Sequence, residues 1–190
     1  MSAKINLFFW IGAMMITTVV SSCTKDDNQL STESSEFTLT SSAIAQDSLL
    51  PSKYTCDGES ATLPLSWSNP PDSTVVYTLI MHHEAAPDDV HCYWIVYNIP
   101  ADISELPENA SGIGSLGTNT VNGLNEYTPP CSKGPGEKAY NYTLYALSEK
   151  LGINASPDEI DMDFIKEAMA GKIISTANMT VYYTRQYTVH

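Results

Sequence analysis

The chain has 190 residues, with 9 lysines and arginines against 22 aspartates and glutamates, a formal net charge of −13 and 43% hydrophobic residues. A chain this acidic repels phosphate backbones, and no basic stripe with interleaved aromatics offsets the repulsion, which argues against nucleic acid as a partner. Length and hydrophobic share suit one domain of ~150 residues with a real core, and no internal repeat is present.

The N-terminus reads as an export signal. Lys4 supplies a small positive start, Ile5 to Val20 an apolar core, and Val20-Ser21-Ser22-Cys23 the small residues before a cysteine that lipoprotein processing uses. The apolar run is shorter than the ~20 residues of a spanning helix, which favours a cleaved signal over a transmembrane anchor. Residues 1–22 are thus expected to be a lipoprotein signal peptide, with Cys23 lipidated as the first residue of the mature protein. That implies a bacterial cell-envelope protein, periplasmic or surface-exposed, attached to a membrane by its lipid anchor. Cleavage removes one lysine and no acid, leaving 8 basic and 22 acidic residues and a net charge of −14. Residues 23–36 are polar, Ser-rich and acidic without apolar periodicity, as a flexible tether would be, and residues 37–190 remain for the folded domain. Besides Cys23 there are Cys56, Cys92 and Cys131, an odd number that leaves at least one thiol unpaired or bonded to another molecule. The sequence leaves the pairing open.

Period-2 patterns dominate the domain. Val75 to His82 and Tyr93 to Ile99 are rich in β-branched and aromatic residues and bounded by Pro70-Pro71-Asp72 and Pro100-Ala101-Asp102, so both read as strands. Tyr140 to Leu147 and Ala177 to Tyr187 read likewise. Leu106 to Lys138 is rich in Gly, Asn and Pro and lacks sustained periodicity, so it is a long loop of the kind that carries function. Its Gly112, Gly114 and Gly117 match G-x-G-x-x-G, but no strand precedes and no helix follows, so turns explain them better than a dinucleotide site. One helix is expected from Ser156: Pro157 suits the first turn, Glu159 completes a capping box, and Ile160, Phe164, Ile165, Ala168 and Met169 form an apolar face ended by Gly171.

Four stretches in fixed order resemble one family: YTCDGESATLPLSW from Tyr54, YWIVYNIPAD from Tyr93, PPCSKGPGEKAY from Pro129 and YTLYALS from Tyr142. They are similar to the phosphatidylethanolamine-binding protein family, in particular its bacterial branch, often labelled Raf kinase inhibitor-like. The resemblance runs from about Phe37 to Arg185. It implies a mainly β fold, the family's β-sandwich with one or two short C-terminal helices, and a small surface pocket for a phosphate or phosphoryl head group. The family marks that pocket with D-P-D-A-P, a histidine before the aromatic residue of the next strand, and G-x-x-x-H-R-Y. Aligned on Ala86-Pro87, His83 and Ala85 stand at the two aspartates. Aligned on Trp94, Tyr93 stands at the histidine, and aligned on YTLYAL, Lys138 and Ala139 stand at the His-Arg pair while Tyr140 keeps the tyrosine.

The replacements still make chemical sense together. Alternate strand residues share a face, so His83 stands with Met81, His91 with Tyr93 and Lys138 with Tyr140. Lys138 brings positive charge, Tyr93 and Tyr140 bring hydroxyl donors, and His83 and His91 bring imidazoles that can donate to an oxyanion. The expected ligand-binding set is therefore His83, His91, Tyr93, Lys138 and Tyr140, with no catalytic residue, no cofactor and a small anion as ligand, a phospholipid head group among the candidates. A second reading is a protein module that docks and inhibits a partner enzyme through the pocket rim, the partner being unknown. A zinc site from His82, His83, Glu84 and His91 is disfavoured because His82 and His83 point to opposite faces, so no metal is expected. A hydrolase using Cys131 or Ser132 lacks a nucleophile elbow, and an exported Cys131 more simply forms a disulfide or packs as a small hydrophobe.

Overall fold

The computed structural model describes residues 35–185, so the signal segment, Cys23 and nearly all of the 23–36 tether lie outside the described residues. In chain order the elements are β1 Thr38–Thr40, β2 Ser48–Leu49, β3 Leu65–Ser68, β4 Val76–Ala86, β5 Asp89–Pro100, β6 Glu105–Leu106, β7 Ser115–Leu116, β8 Lys138–Leu147, α1 Met162–Met169 and β9 Ile173–Tyr183. They form a six-stranded sheet in the order β2-β9-β8-β4-β5-β7 and a three-stranded sheet in the order β1-β3-β6. The domain is mainly β, as the period-2 patterns predict. Its four long strands overlap the four predicted ones, although β4 begins one residue later than expected and β9 begins and ends four residues earlier.

Both faces of the large sheet are covered. Tyr77, Leu79 and Met81 of β4 pack against Leu39, Leu65 and Trp67 of the small sheet. Val76 and Ile80, with Cys92 and Ile95 of β5, pack on the opposite face under Met162, Ile165 and Met169 of α1. A strand buried on both sides has no polar face to keep, which is why the Val76 to Met81 stretch is nearly all apolar. Each fully buried Leu, Ile or Met contributes ~1.5–3 kcal/mol, so these two seams dominate the stability of the fold.

The C-terminal helix differs from expectation. The Ser156–Glu159 pair does form, with Glu159 Oε2 accepting from the Ser156 amide at 3.0 Å and its hydroxyl at 2.7 Å. Yet Pro157–Glu159 makes only one 3-10 turn, and α1 starts at Met162. The long loop intervenes. Thr118 Oγ1 and Asn125 Nδ2 donate to the Pro157 carbonyl at 2.6 and 3.0 Å, and the Thr118 amide donates to the Ile160 carbonyl at 2.7 Å. Those carbonyls bond to the loop, and the chain restarts its helix at Asp161, whose side chain accepts from the Phe164 amide at 2.9 Å.

The loop's glycines also do more than turn. A Cβ on Gly114 would sit 2.7 Å from the Tyr97 carbonyl oxygen, and one on Gly117 would sit 2.8 Å from that of Ile160. They let the loop press on β5 and on the segment before α1.

Candidate functional site

Strand register brings the candidate residues together. β4 and β5 form a hairpin in which His83 faces His91, and the two imidazoles stack with centroids 6.4 Å apart. One step further in, the register slips so that Met81 pairs with Trp94 and His82 with Cys92, leaving Tyr93 as the extra residue of a β-bulge. The bulge has a consequence that simple alternation misses. It lets Trp94 join the core below while His91 and Tyr93 stay at the site, although His91 and Trp94 are an odd number of residues apart. β8 lies on the other side of β4 and supplies Lys138, Ala139 and Tyr140.

His83, His91, Tyr93 and Lys138 all line one cavity of about 300 Å³. The long loop closes it with Thr120, Val121, Cys131, Ser132 and Lys133. Asn119 holds the near part of that loop from inside: it is wholly buried, donates to the carbonyls of Leu124 and Glu126 at 2.9 and 3.1 Å, and accepts from the amides of Val121 and Asn122. Cys131 is bonded to Cys56 in a disulfide that fastens the far part. Loop residues cannot be assigned to a strand face by periodicity, so Thr120 and Lys133 are missing from the expected ligand set and Ser132 enters only as a hydrolase candidate; the signal available is the exported Cys131, for which a disulfide is one expectation, its partner left open.

Tyr140 is a correction. It has no exposed surface, and it packs its ring beneath His83 at 5.5 Å and edge-on to Tyr93 at 5.2 Å. Burial raises its phenol well above the ordinary range, and the nearby Tyr93 adds to this, yet its hydroxyl makes no hydrogen bond of ordinary geometry among the described residues. Tyr140 therefore supports the two residues above it and does not reach the cavity surface. Tyr93 is 8% exposed and its phenol is also raised by burial, so it stays protonated and can donate to a ligand.

His83 is 7% exposed, and its Nδ1 lies 2.8 Å from the Ala139 carbonyl oxygen. A carbonyl only accepts, so Nδ1 carries the hydrogen and Nε2 faces the cavity as an acceptor while the ring is neutral. The simple expectation of a histidine donating to an oxyanion therefore holds only for the protonated ring. His91 is more exposed, and its Nε2 lies 3.2 Å from Asp89 Oδ1. The fixed positive groups of the cavity are the ammonium groups of Lys133 and Lys138.

Nucleophilic alternatives lose their chemistry. The Cys131 sulfur is in the disulfide, and burial pushes the thiol of Cys92 up to about 12, so neither offers a thiolate. Ser132 is buried and its hydroxyl donates to the Gly134 carbonyl at 3.0 Å. His82 lies across the sheet from His83, under Lys166 of α1, and cannot share a ligand with it. A larger cavity of about 520 Å³, lined by Leu49, Asp57, Glu137 and Tyr183 among others, presents acidic groups, and its Asp57 already binds Arg185 and the Tyr183 hydroxyl. Its two carboxylates disfavour an anion there.

The family model for phosphatidylethanolamine-binding protein matches residues 40–184. The chain belongs to the phosphatidylethanolamine-binding protein family. A UPF0098 protein of Methanothermobacter thermautotrophicus is 35% identical over 141 residues, covering 72% of this chain and 91% of that one. A UPF0098 protein of Chlamydia trachomatis is 33% identical over 153 residues, covering 77% and 98%. Among solved structures, a phosphatidylethanolamine-binding protein homologue from Chlamydia trachomatis superposes with a TM-score of 0.71 at 31% identity, covering 79% of this chain and 98% of its own. Escherichia coli YbcL shares the fold, with a TM-score of 0.70 at 23% identity. Membership of the phosphatidylethanolamine-binding protein family supports a binding or modulating role in general terms.

Proposed function

We propose that this phosphatidylethanolamine-binding protein family member is a lipid-anchored binding protein whose cavity between β4, β5, β8 and the 118–137 loop holds a small oxyanion, a phosphate or a phospholipid head group. One observation carries the reading: a domain with a large acid excess keeps two lysines, Lys133 and Lys138, at a cavity also lined by Tyr93, Ser132 and two imidazoles. Convergent donors in a concave site are the usual basis of small-ligand recognition. Lys138 contributes the charge from a strand position, where its backbone is held by pairing with Tyr183, whereas Lys133 sits on the loop. The anchor would be a diacylated Cys23, keeping the cavity near a membrane surface.

A charge-assisted hydrogen bond is worth ~1.5–3 kcal/mol, so Lys138→Ala should weaken anion binding about tenfold to a hundredfold. Calorimetric titration of the soluble domain with inorganic phosphate reads this directly. Unchanged affinity in the variant, or equal affinity for a neutral isostere, would reject the anion reading. A second reading, docking of a partner protein through the rim, has one observation in its favour: Val121 and Leu124 are 42% and 52% exposed on the turn beside the cavity. It predicts no intrinsic affinity for small anions.

A further inference from the structure

We propose that His83 makes the cavity select oxyanions that carry a hydrogen-bond donor of their own over oxyanions that offer only acceptors. The inference rests on the anion-binding reading above and adds the chemical class of its ligand. The bond from Nδ1 to the Ala139 carbonyl, at 2.8 Å, fixes which nitrogen holds the hydrogen of the neutral ring. Its Nε2 makes no hydrogen bond among the described residues and belongs to a side chain that lines the cavity. The ring cannot turn over to offer the other nitrogen, because Tyr140 packs beneath it, His91 stacks alongside it and the Ala139 bond would be lost.

A bound tetrahedral anion would thus meet two kinds of surface. Lys138, Lys133 and the Tyr93 hydroxyl can donate to its oxygens, but neutral His83 presents a lone pair. An oxygen bearing a hydrogen donates to that lone pair; an oxygen bearing only lone pairs is repelled by it and leaves a nearly buried acceptor unpaired. The ionisable groups around the ring do not cancel this preference. From β5 come His91, paired with Asp89, and Tyr93; from β8 come Lys138 and the buried Tyr140; from the loop comes Lys133; and Glu84 of β4 lies 3.5 Å from His82 on the other face. The donor on the ligand has two chemical sources, the hydroxyl of a phosphate or phosphomonoester, or the ammonium of a phosphoethanolamine-type head group.

Phosphate and sulfate provide the cleanest comparison, because hydrogen phosphate matches sulfate in charge and geometry and differs by one O–H. Titrations of the soluble domain at pH 7.5 should give phosphate an advantage of about tenfold to a hundredfold over sulfate, the usual effect of leaving a buried polar group unpaired. His83→Asn retains an N–H for the Ala139 carbonyl but has no acceptor at the Nε2 position, so it should bind both anions with similar affinity at pH 7.5. Phosphoethanolamine against its quaternary choline analogue, which has no N–H, tells the hydroxyl source from the ammonium source. Equal binding of phosphate and sulfate by the unaltered domain at pH 7.5 overturns the role of His83 and leaves the anion pocket standing. Absence of binding by every anion from pH 5 to 8 overturns both.

Discussion

His82 and His83 are neighbours in sequence with opposite environments. His83 opens to the cavity, whereas His82 lies beneath α1 with its Nδ1 buried and without a hydrogen-bond partner among the described residues. Burial lowers the His82 imidazole below its ordinary value, a Coulomb attraction to Glu84 opposes this, and Lys166 reinforces it. A folded-state value below the unfolded one means that the unfolded chain takes up the proton first. The stabilising contribution is therefore complete above about pH 6.5 and declines as pH falls through the folded value. His82→Leu removes both the unpaired nitrogen and the titration. Its melting temperature should exceed that of the unaltered domain by more at pH 5.5 than at pH 8, the acidic carboxylates being common to both proteins. A gain of the same size at both values would show that His82 does not titrate on unfolding. At this residue scale the sequence revealed the faces of His82 and His83, because strand alternation requires only adjacency. It concealed the His83 tautomer, which depends on a carbonyl 56 residues away.

Among the elements, the four long strands and the apolar face of the helix were legible because each repeats its pattern over at least eight residues. The departures come from single residues answering to distant ones. The β-bulge at Tyr93 has no local signature, and the helix start moved to Asp161 because Thr118 and Asn125 of the loop bond to the Pro157 and Ile160 carbonyls. The loop's own glycines permit a test that separates backbone strain from packing. Gly114 and Gly123 have φ of +68° and +74°, so an L-residue is strained at either, yet a Cβ meets the Tyr97 carbonyl oxygen at 2.7 Å on Gly114 and nothing within 4 Å on Gly123. Gly123→Ala should cost only the left-handed backbone penalty of ~1–2 kcal/mol. Gly114→Ala should add ~1–3 kcal/mol of overpacking, because the opposing atom is backbone and cannot swing away. Urea denaturation midpoints measure the difference, and equal losses would mean that the loop does not press on β5 as described.

At the scale of the whole domain, the cavity wall and the fold share one covalent tie. The disulfide joins Cys56 to Cys131 across 75 residues, and the neighbouring amide of Cys56 donates to the Pro130 carbonyl at 3.0 Å. Cys56 is in turn anchored through Asp57, whose carboxylate accepts from the Tyr183 hydroxyl and from Arg185 Nε and Nη2 at 3.0 and 2.8 Å. The hydrogen bond from Tyr183, joined by Arg185, holds that carboxylate below its usual range. By the chain-entropy account, closing a loop of this length stabilises the fold by ~4 kcal/mol. The tie also has a local role, because Ser132 and Lys133 follow Cys131 directly and both face the cavity. The double variant Cys56→Ser, Cys131→Ser should therefore lose stability by up to about that amount, and at temperatures where it remains folded it should bind phosphate more weakly, since the loop must be ordered by the ligand. Thermal denaturation gives the first effect and calorimetry well below the midpoint gives the second. A less stable domain with undiminished phosphate affinity would mean that the Pro130 carbonyl bond and the Asn119 side-chain bonds hold the loop without help, and that the disulfide serves the fold alone.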